Sequence, residues 1–129
     1  MMRDVSSPSV LIADDNPDNR AMYELFFSQK GWRVVTADNG REAVAVCEAE
    51  RPDVVVMDLG MPVMDGWEAT RLIKSNPKTK HAIVIVLTGF DGYDGLQQVR
   101  AFGAHDVCMK PCVPSKLYEL VTQHYVPQR

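Results

Sequence analysis

Polar residues suited to phosphate and metal chemistry directly follow four of the apolar runs in this 129-residue chain. Asp14 and Asp15 follow the first run, Asp58 the third, Thr88 the fourth and Lys110 the fifth. Three neighbouring carboxylates repel one another at neutral pH unless a cation offsets their charge. Mg²⁺ is the expected ion, because it takes octahedral oxygen ligands and is usually held by one or two carboxylates together with phosphate oxygens.

Asp58 is the expected nucleophile of this group. A carboxylate can attack phosphorus to give an acyl phosphate, and a metal ion neutralises the charge on the transferring group. Asp58 directly follows four apolar residues, where a buried carboxylate is costly unless it has partners. We expect Thr88 to donate its hydroxyl to one phosphoryl oxygen and Lys110 to place its charge beside another.

Five short β-like runs, at residues 10–13, 33–36, 53–57, 82–87 and 105–109, must position these side chains. Apolar residues at helical spacing mark the segments between and after them. In chain order they are Met22, Leu25 and Phe26; Ala43, Val46 and Cys47; Ala69, Leu72 and Ile73; Leu96, Val99 and Phe102; Leu117, Leu120 and Val121. This strict alternation predicts an α/β fold: a single doubly wound (βα)5 domain over residues 9–126, with short tails at 1–8 and 127–129.

Runs such as residues 54–57 and 83–87 are apolar on both faces, which is typical of a parallel sheet covered by helices on each side. Ligands of such sheets bind beyond the carboxyl ends of the strands, where the strand order reverses. In the five-stranded order 2-1-3-4-5, taken over from other doubly wound proteins, the reversal lies between strands one and three. That order predicts that Asp14, Asp15 and Asp58 share one crevice.

Composition excludes several functional classes. The formal charge is −3, and the 14 basic residues form no stripe that would hold a nucleic-acid backbone. The longest apolar runs are far shorter than the roughly 20 residues of a membrane-spanning helix, and no secretory signal opens the chain. We therefore expect a cytoplasmic protein that binds neither nucleic acid nor membrane.

Three cysteines, Cys47, Cys108 and Cys112, are an odd number in a chain without an export signal, so no disulfide is expected. Cys108 and Cys112 have no second ligand pair with which to bind a metal, and we interpret them as small buried hydrophobic residues. His81, His105 and His124 are expected to be structural or surface residues without an acidic partner. They are not candidates for the site.

Five short motifs carry a family resemblance over residues 9–125. They are LIADDN at 11–16, VMDLGMP at 56–62, MDG at 64–66, VLTG at 86–89 and MKP at 109–111. With these motifs in this order at strand ends, the chain resembles the response-regulator receiver domains of two-component signalling. The resemblance implies a phosphoacceptor switch that uses Mg²⁺. In that family's pattern, the phosphoacceptor is Asp58; the Mg²⁺ ligands are Asp14, Asp15, Asp58 and the main-chain carbonyl of Gly60; the phosphoryl contacts are Thr88 and Lys110; and the Lys110-Pro111 bond is cis.

The resemblance also implies partners. A histidine kinase or a histidine phosphotransfer protein would supply the phosphoryl group, and a shift of the helix-four and strand-five surface would alter binding of a downstream effector protein. The family's switch often uses an aromatic residue at the position of Val107, so its aromatic form is not expected here. The exposed face of helix four is the expected partner surface, with Asp91, Tyr93, Asp94, Gln97 and Arg100. A monomer or weak dimer is expected.

Two positions are expected to set the lifetime of the acyl phosphate. In the family, the side chains at the positions of Gly60 and Phe90 flank the path of the attacking water. Glycine positions no water and the aromatic ring partly covers the path, so we expect a long-lived phosphoryl group. The chain is then not an enzyme beyond self-phosphorylation from phosphodonors and slow autodephosphorylation.

Plainer interpretations compete with this one. Taken singly, Asp14 and Asp15 suit a helix cap, Thr88 a strand-end hydroxyl and Lys110 a solvated surface lysine. Among whole-protein alternatives, an aspartyl phosphatase usually has a second acid where Gly60 stands. A phosphate-independent interaction module and the receiver segment of a hybrid histidine kinase or longer regulator remain open.

Overall fold

A computed structural model describes residues 7–89 and 95–126 of the chain. Ten elements alternate along it. They are β1 (Ser9–Ala13), α1 (Pro17–Gln29), β2 (Arg33–Ala37), α2 (Gly40–Glu50), β3 (Val54–Asp58), α3 (Gly66–Ser75), β4 (Ile83–Thr88), α4 (Gly95–Ala101), β5 (Asp106–Met109) and α5 (Pro114–His124). Most of both expected tails lies outside the described residues.

All five strands pair in parallel in the order β2-β1-β3-β4-β5. This confirms the expected doubly wound α/β fold, and every strand lies within one residue of its predicted limits. The small differences matter for the site, since Asp58 and Thr88 are the last residues of β3 and β4 and do not merely follow them.

Two apolar clusters cover the two faces of the sheet, because successive strand residues point to opposite sides. Leu11 and the other strand residues on its face of the sheet pack with residues of α2, α3 and α4, such as Ile73. Ile12 and the other strand residues on the opposite face pack with residues of α1 and α5, such as Phe27 and Leu117. Full burial of each such side chain contributes roughly 1.5–3 kcal/mol, so the sheet is anchored on both faces.

Helix α1 has the expected period, but a different face is buried. Met22 is 40% exposed and Leu25 is 60% exposed, whereas Tyr23 and Phe27 are buried. Phe27 packs edge-on against Trp32, at a centroid distance of 5.5 Å. The i, i+4 pair of aromatic residues faces the sheet because it fills more core volume than the shorter apolar side chains beside it.

Cys108 and Cys112 form a disulfide, so the expectation of no disulfide was wrong. Their burial was expected correctly, since each is only 5% exposed, and Cys47 is a buried free thiol. The disulfide is a local link, because the chain turns between β5 and α5 and brings the Cα atoms of Cys108 and Cys112 to 6.0 Å from each other. The Lys110-Pro111 bond within that turn is cis, as the resemblance implied.

No helix among the described residues is long and apolar enough to cross a lipid bilayer.

Candidate functional site

The candidate site lies at the edge of the sheet where the carboxyl ends of β1, β3, β4 and β5 meet. Asp14 and Asp15 directly follow β1, and Lys110 directly follows β5. Asp58 pairs in register with Leu87, one residue before the end of β4. The topology therefore brings all five predicted chemistry-bearing side chains to the reversal of strand order.

Asp14, Asp15 and Asp58 form an acidic cluster in which one carboxylate oxygen from each residue lies within 4.8 Å of the others. Asp14 is fully buried, Asp58 is 3% exposed, and Asp15 is open to solvent. The predicted convergence of the three acids is thus present in the structure. A hard cation is the partner that such a cluster suits.

The Asp14 carboxylate is only partly satisfied by the protein. Its Oδ1 accepts a hydrogen bond from the backbone N–H of Asn16 at 2.9 Å. Its Oδ2 is buried and has no hydrogen-bond partner among the described residues. Burial raises the pKa of Asp14, and the negative charge of Asp58 adds to this rise. One buried acceptor therefore remains available to a ligand from outside the chain.

Asn16, and not the two aspartates, caps helix α1. Its Oδ1 accepts from the backbone N–H groups of Asp18 and Asn19, and Pro17 occupies the first turn. The plainer interpretation of Asp14 and Asp15 as helix-cap carboxylates is therefore wrong, because the cap position is already filled.

Lys110 points into the site and is not a free surface lysine. Its Nζ lies 2.9 Å from Asp58 Oδ1, although the side chain is 36% exposed. The backbone N–H of Gly60 donates to the same oxygen at 3.1 Å. The backbone N–H of Lys110 donates to the carbonyl of Thr88 at 2.8 Å, which joins the turn after β5 to the end of β4.

A crevice of about 250 Å³ opens beside Asp58, large enough for a phosphoryl group. It is lined by Asp58, Leu59, Gly60, Thr88, Gly89 and Lys110. A Cβ at Gly60 would lie 3.8 Å from Asp58 Oδ1, in ordinary contact. At Gly66, by contrast, a Cβ would lie 2.4 Å from the carbonyl oxygen of Asp58, so the start of α3 packs directly on the end of β3.

Two residues near the site, Arg20 and Tyr23, carry no sequence motif and were not predicted. Arg20 Nη1 donates to the carbonyl of Asp14 at 2.8 Å. The Tyr23 hydroxyl donates to the carbonyl of Cys112, and burial raises the pKa of Tyr23, with Asp14 and Asp58 adding to the rise. The helical phase of α1 is the signal that would have placed Arg20, one turn beyond the cap, near the end of β1; no sequence signal places Tyr23 against Cys112.

The remaining sequence-based predictions concern residues outside the acidic cluster. Phe90, Asp91, Tyr93 and Asp94 lie outside the described residues, so the expectations placed on them stay predictions. Gln97 and Arg100, on the proposed partner face, are exposed, and Val107 is half-buried against the core. One expectation about the histidines was wrong, because His124 Nε2 lies 2.9 Å from Asp106 Oδ2.

Similarity to known proteins agrees with the geometry. The family model for the response regulator receiver domain matches residues 10–122. The structure of chemotaxis protein CheY4 of Vibrio cholerae superimposes with a TM-score of 0.87 at 30% identity, covering 92% of this chain and 99% of that one. The receiver domain of sensor histidine kinase PA1611 from Pseudomonas aeruginosa, with a magnesium ion coordinated in its active site cleft, gives a TM-score of 0.81 at 28% identity, covering 91% and 96%.

Some relatives are much longer than this chain. A probable cyclic di-GMP phosphodiesterase of Vibrio cholerae is 35% identical over 128 residues, which is 99% of this chain but only 29% of that protein. The match to the family model, together with the five sequence motifs and the sheet order, shows that the chain belongs to the response regulator receiver domain family of two-component signalling.

Proposed function

We propose that this chain is a phosphoacceptor switch in which Asp58 receives a phosphoryl group from a histidine kinase or a histidine phosphotransfer protein. The single observation that best supports this role is the placement of Asp58. It is nearly buried at the end of β3, with the Lys110 ammonium 2.9 Å from one oxygen and a crevice beside it. A purely structural carboxylate does not need an adjoining cavity.

Mg²⁺ is the proposed cofactor, with Asp14, Asp15, Asp58 and the carbonyl of Gly60 as its ligands. The donor set fits, because it is all oxygen and includes the buried Asp14 Oδ2, which has no partner among the described residues. When bound, the ion supplies positive charge to the carboxylates and to the incoming phosphoryl oxygens. The magnesium ion coordinated in the PA1611 receiver domain supports the same assignment.

The protein's own groups have separate roles in this proposal. The Asp58 carboxylate attacks phosphorus, and the histidine nitrogen of the donor leaves. The Lys110 ammonium and the Thr88 hydroxyl then bind phosphoryl oxygens, because both stand on the rim of the same crevice. The added charge of about −1.5 to −2 would draw these groups inward and shift the β4, β5 and α4 surface that an effector protein reads.

The proposal assigns no turnover of external substrates. Gly60 stands where aspartyl phosphatases usually have a second acid, so only self-phosphorylation and slow autodephosphorylation are expected. We propose the cytoplasm as the compartment. A receiver segment of a longer protein is the second candidate context, which the 29% coverage of the phosphodiesterase relative favours.

Intact mass after incubation with a small acyl phosphate, with and without Mg²⁺, tests the proposal. The protein should gain one phosphoryl group only when Mg²⁺ is present. Asp58→Asn should gain none, and Asp18→Asn, which alters an exposed acid on α1, should match the wild type. If the folded wild type gains no phosphoryl group under any condition, the chain is a phosphate-independent interaction module.

A further inference from the structure

The disulfide between Cys108 and Cys112 encloses the residue that contacts the candidate phosphoacceptor. It joins the buried end of β5 to the segment just before α5, with a sequence separation of 4. Lys110 lies inside this small covalent ring, and its Nζ lies 2.9 Å from Asp58 Oδ1. The ring therefore limits the backbone that carries the ammonium group.

Two hydrogen bonds attach the ring to the rest of the site. The backbone N–H of Lys110 donates to the carbonyl of Thr88 at 2.8 Å, and the Tyr23 hydroxyl donates to the carbonyl of Cys112. One bond reaches β4 and the other reaches α1. Opening the ring would consequently loosen a segment that is hydrogen-bonded to both β4 and α1.

We expect small thiol reagents to reach the bridge, because each of its cysteines, although only 5% exposed, lines a surface crevice. Cys108 lines a surface crevice of about 380 Å³ with Lys116 and Leu120. Cys112 lines another, of about 460 Å³, next to Met22. Cys47, the remaining cysteine, should not react with these reagents, because it is buried and burial raises the pKa of its thiol to about 12.

We propose that Cys108 and Cys112 form a redox-controlled bridge that sets how firmly Lys110 is held at Asp58, and that the oxidised protein is the faster phosphoacceptor. The claim that the oxidised protein is phosphorylated faster rests on the proposed function. The claim that the bridge orders the Lys110 segment does not.

The exchange consumes one dithiol for each bridge opened. A dithiol thiolate attacks one cysteine sulfur, the S–S bond breaks, and the other cysteine leaves as a thiolate that takes a proton from water. The second thiol of the reagent then displaces the first cysteine. The dithiol becomes a cyclic disulfide, and the protein gains two electrons and two protons. The reverse reaction uses a small-molecule disulfide, such as oxidised glutathione, as the oxidant.

Reduction of the disulfide should slow phosphoryl transfer, because the backbone that carries Lys110 gains conformational freedom. Preorganised positive charge stabilises the negative charge that develops on the transferring group, and disorder in its backbone removes that advantage. We expect reduction to slow phosphorylation of Asp58 by about fivefold, which corresponds to about 1 kcal/mol. The Lys110 amide should also exchange hydrogen faster, because its bond to Thr88 opens more often.

The test compares the protein equilibrated with oxidised glutathione and with dithiothreitol in three measurements. Alkylation after denaturation should label one cysteine in the oxidised protein and all three in the reduced one. Hydrogen exchange of the Lys110 amide and the rate of phosphorylation by an acyl phosphate with Mg²⁺ follow on the same samples. Cys47→Ala is the matched control and should keep the full response. Cys108→Ala/Cys112→Ala should behave as reduced protein with or without dithiothreitol.

Each outcome decides a separate point. Three labelled cysteines after oxidation would overturn the bridge itself. Equal amide exchange and equal phosphorylation rates in the two redox states would overturn the control of Lys110 while leaving the proposed function intact. If neither state accepts a phosphoryl group, the proposed function fails. Amide exchange then still decides whether the bridge orders the Lys110 segment, and because it is measured on wild-type protein the test does not depend on folding of the double variant.

Discussion

Replacing Asp14 by asparagine should stabilise the metal-free protein. Asp14 is fully buried, and its Oδ2 has no hydrogen-bond partner in the described parts of the chain. A buried polar group without a partner costs about 1–3 kcal/mol, and more when it is charged. Asparagine keeps the oxygen that accepts from Asn16 and removes the charge that repels Asp58. We therefore expect Asp14→Asn to raise the free energy of unfolding by about 1–3 kcal/mol in the presence of a chelator.

The same substitution should abolish stabilisation by Mg²⁺. A ligand that binds only the folded state adds RT ln(1 + [L]/Kd), which is about 2.7 kcal/mol when its concentration is 100 times the dissociation constant. Urea unfolding followed by circular dichroism, with chelator and with saturating Mg²⁺, measures both effects. Wild type should gain stability from the ion and Asp14→Asn should not, so the difference between them should shift by about 2.7 kcal/mol in favour of wild type at that concentration of Mg²⁺.

Asp15→Asn is the matched control, because Asp15 belongs to the same cluster but is exposed. Its stability in chelator should stay within about 0.5 kcal/mol of the wild type, while its response to Mg²⁺ is lost. An Asp14→Asn protein that is less stable than wild type in chelator would refute the reasoning about the unpaired oxygen. A normal Mg²⁺ response in that variant would refute its assignment as a ligand.

Three further predictions concern the stability of the fold. Gly66→Ala should lower the free energy of unfolding by about 1–3 kcal/mol in urea, because its Cβ would lie 2.4 Å from the last carbonyl oxygen of β3; unchanged stability would contradict that packing. Val63 is 73% exposed with φ of 71°, so Val63→Gly should raise the free energy of unfolding by about 0.5 kcal/mol, and a loss of stability would contradict the strain assigned to this backbone conformation. Burial, helped by the positive charge of Lys74, lowers the pKa of His105, so its contribution to stability is full above its ordinary pKa of 6.5 and is lost as the pH falls below that value. Urea unfolding at pH 7.5 and 5.5 should show a smaller loss for His105→Gln than for wild type, and equal losses would contradict this assignment.

The sheet and the acidic cluster were predictable because they depend on strong, local signals. Residues 54–57 and 83–87 are apolar without interruption, as strands buried on both faces must be. Parallel strands place their carboxyl ends at one edge, so Asp58 and Thr88 meet wherever these strands are neighbours. The strand order itself did not follow from the residues and came from other doubly wound proteins.

The parts that the sequence did not predict depend on tertiary contacts. In α1 the apolar residues occupy more than one side of the helix, so periodicity alone did not distinguish the face of Met22 from that of Tyr23. The contact of Tyr23 with Cys112 spans 89 positions and carries no motif. The disulfide does not follow from the number of cysteines or from the expected compartment, because it depends on a turn that brings Cys108 and Cys112 together.

Several local exceptions lie at the same edge of the sheet as the proposed chemistry. Asp14 leaves a buried oxygen without a partner among the described residues, Val63 holds a backbone conformation that β-branched residues avoid, and Lys110 places its Nζ 2.9 Å from a nearly buried carboxylate. At the opposite end, Asp53 accepts a hydrogen bond from the backbone N–H of Ser9 at 2.9 Å, as a structural carboxylate should. A fold selected only for stability would satisfy both ends equally. The contrast between Asp14 and Asp53 thus supports the proposal that the carboxyl edge receives groups from outside the chain.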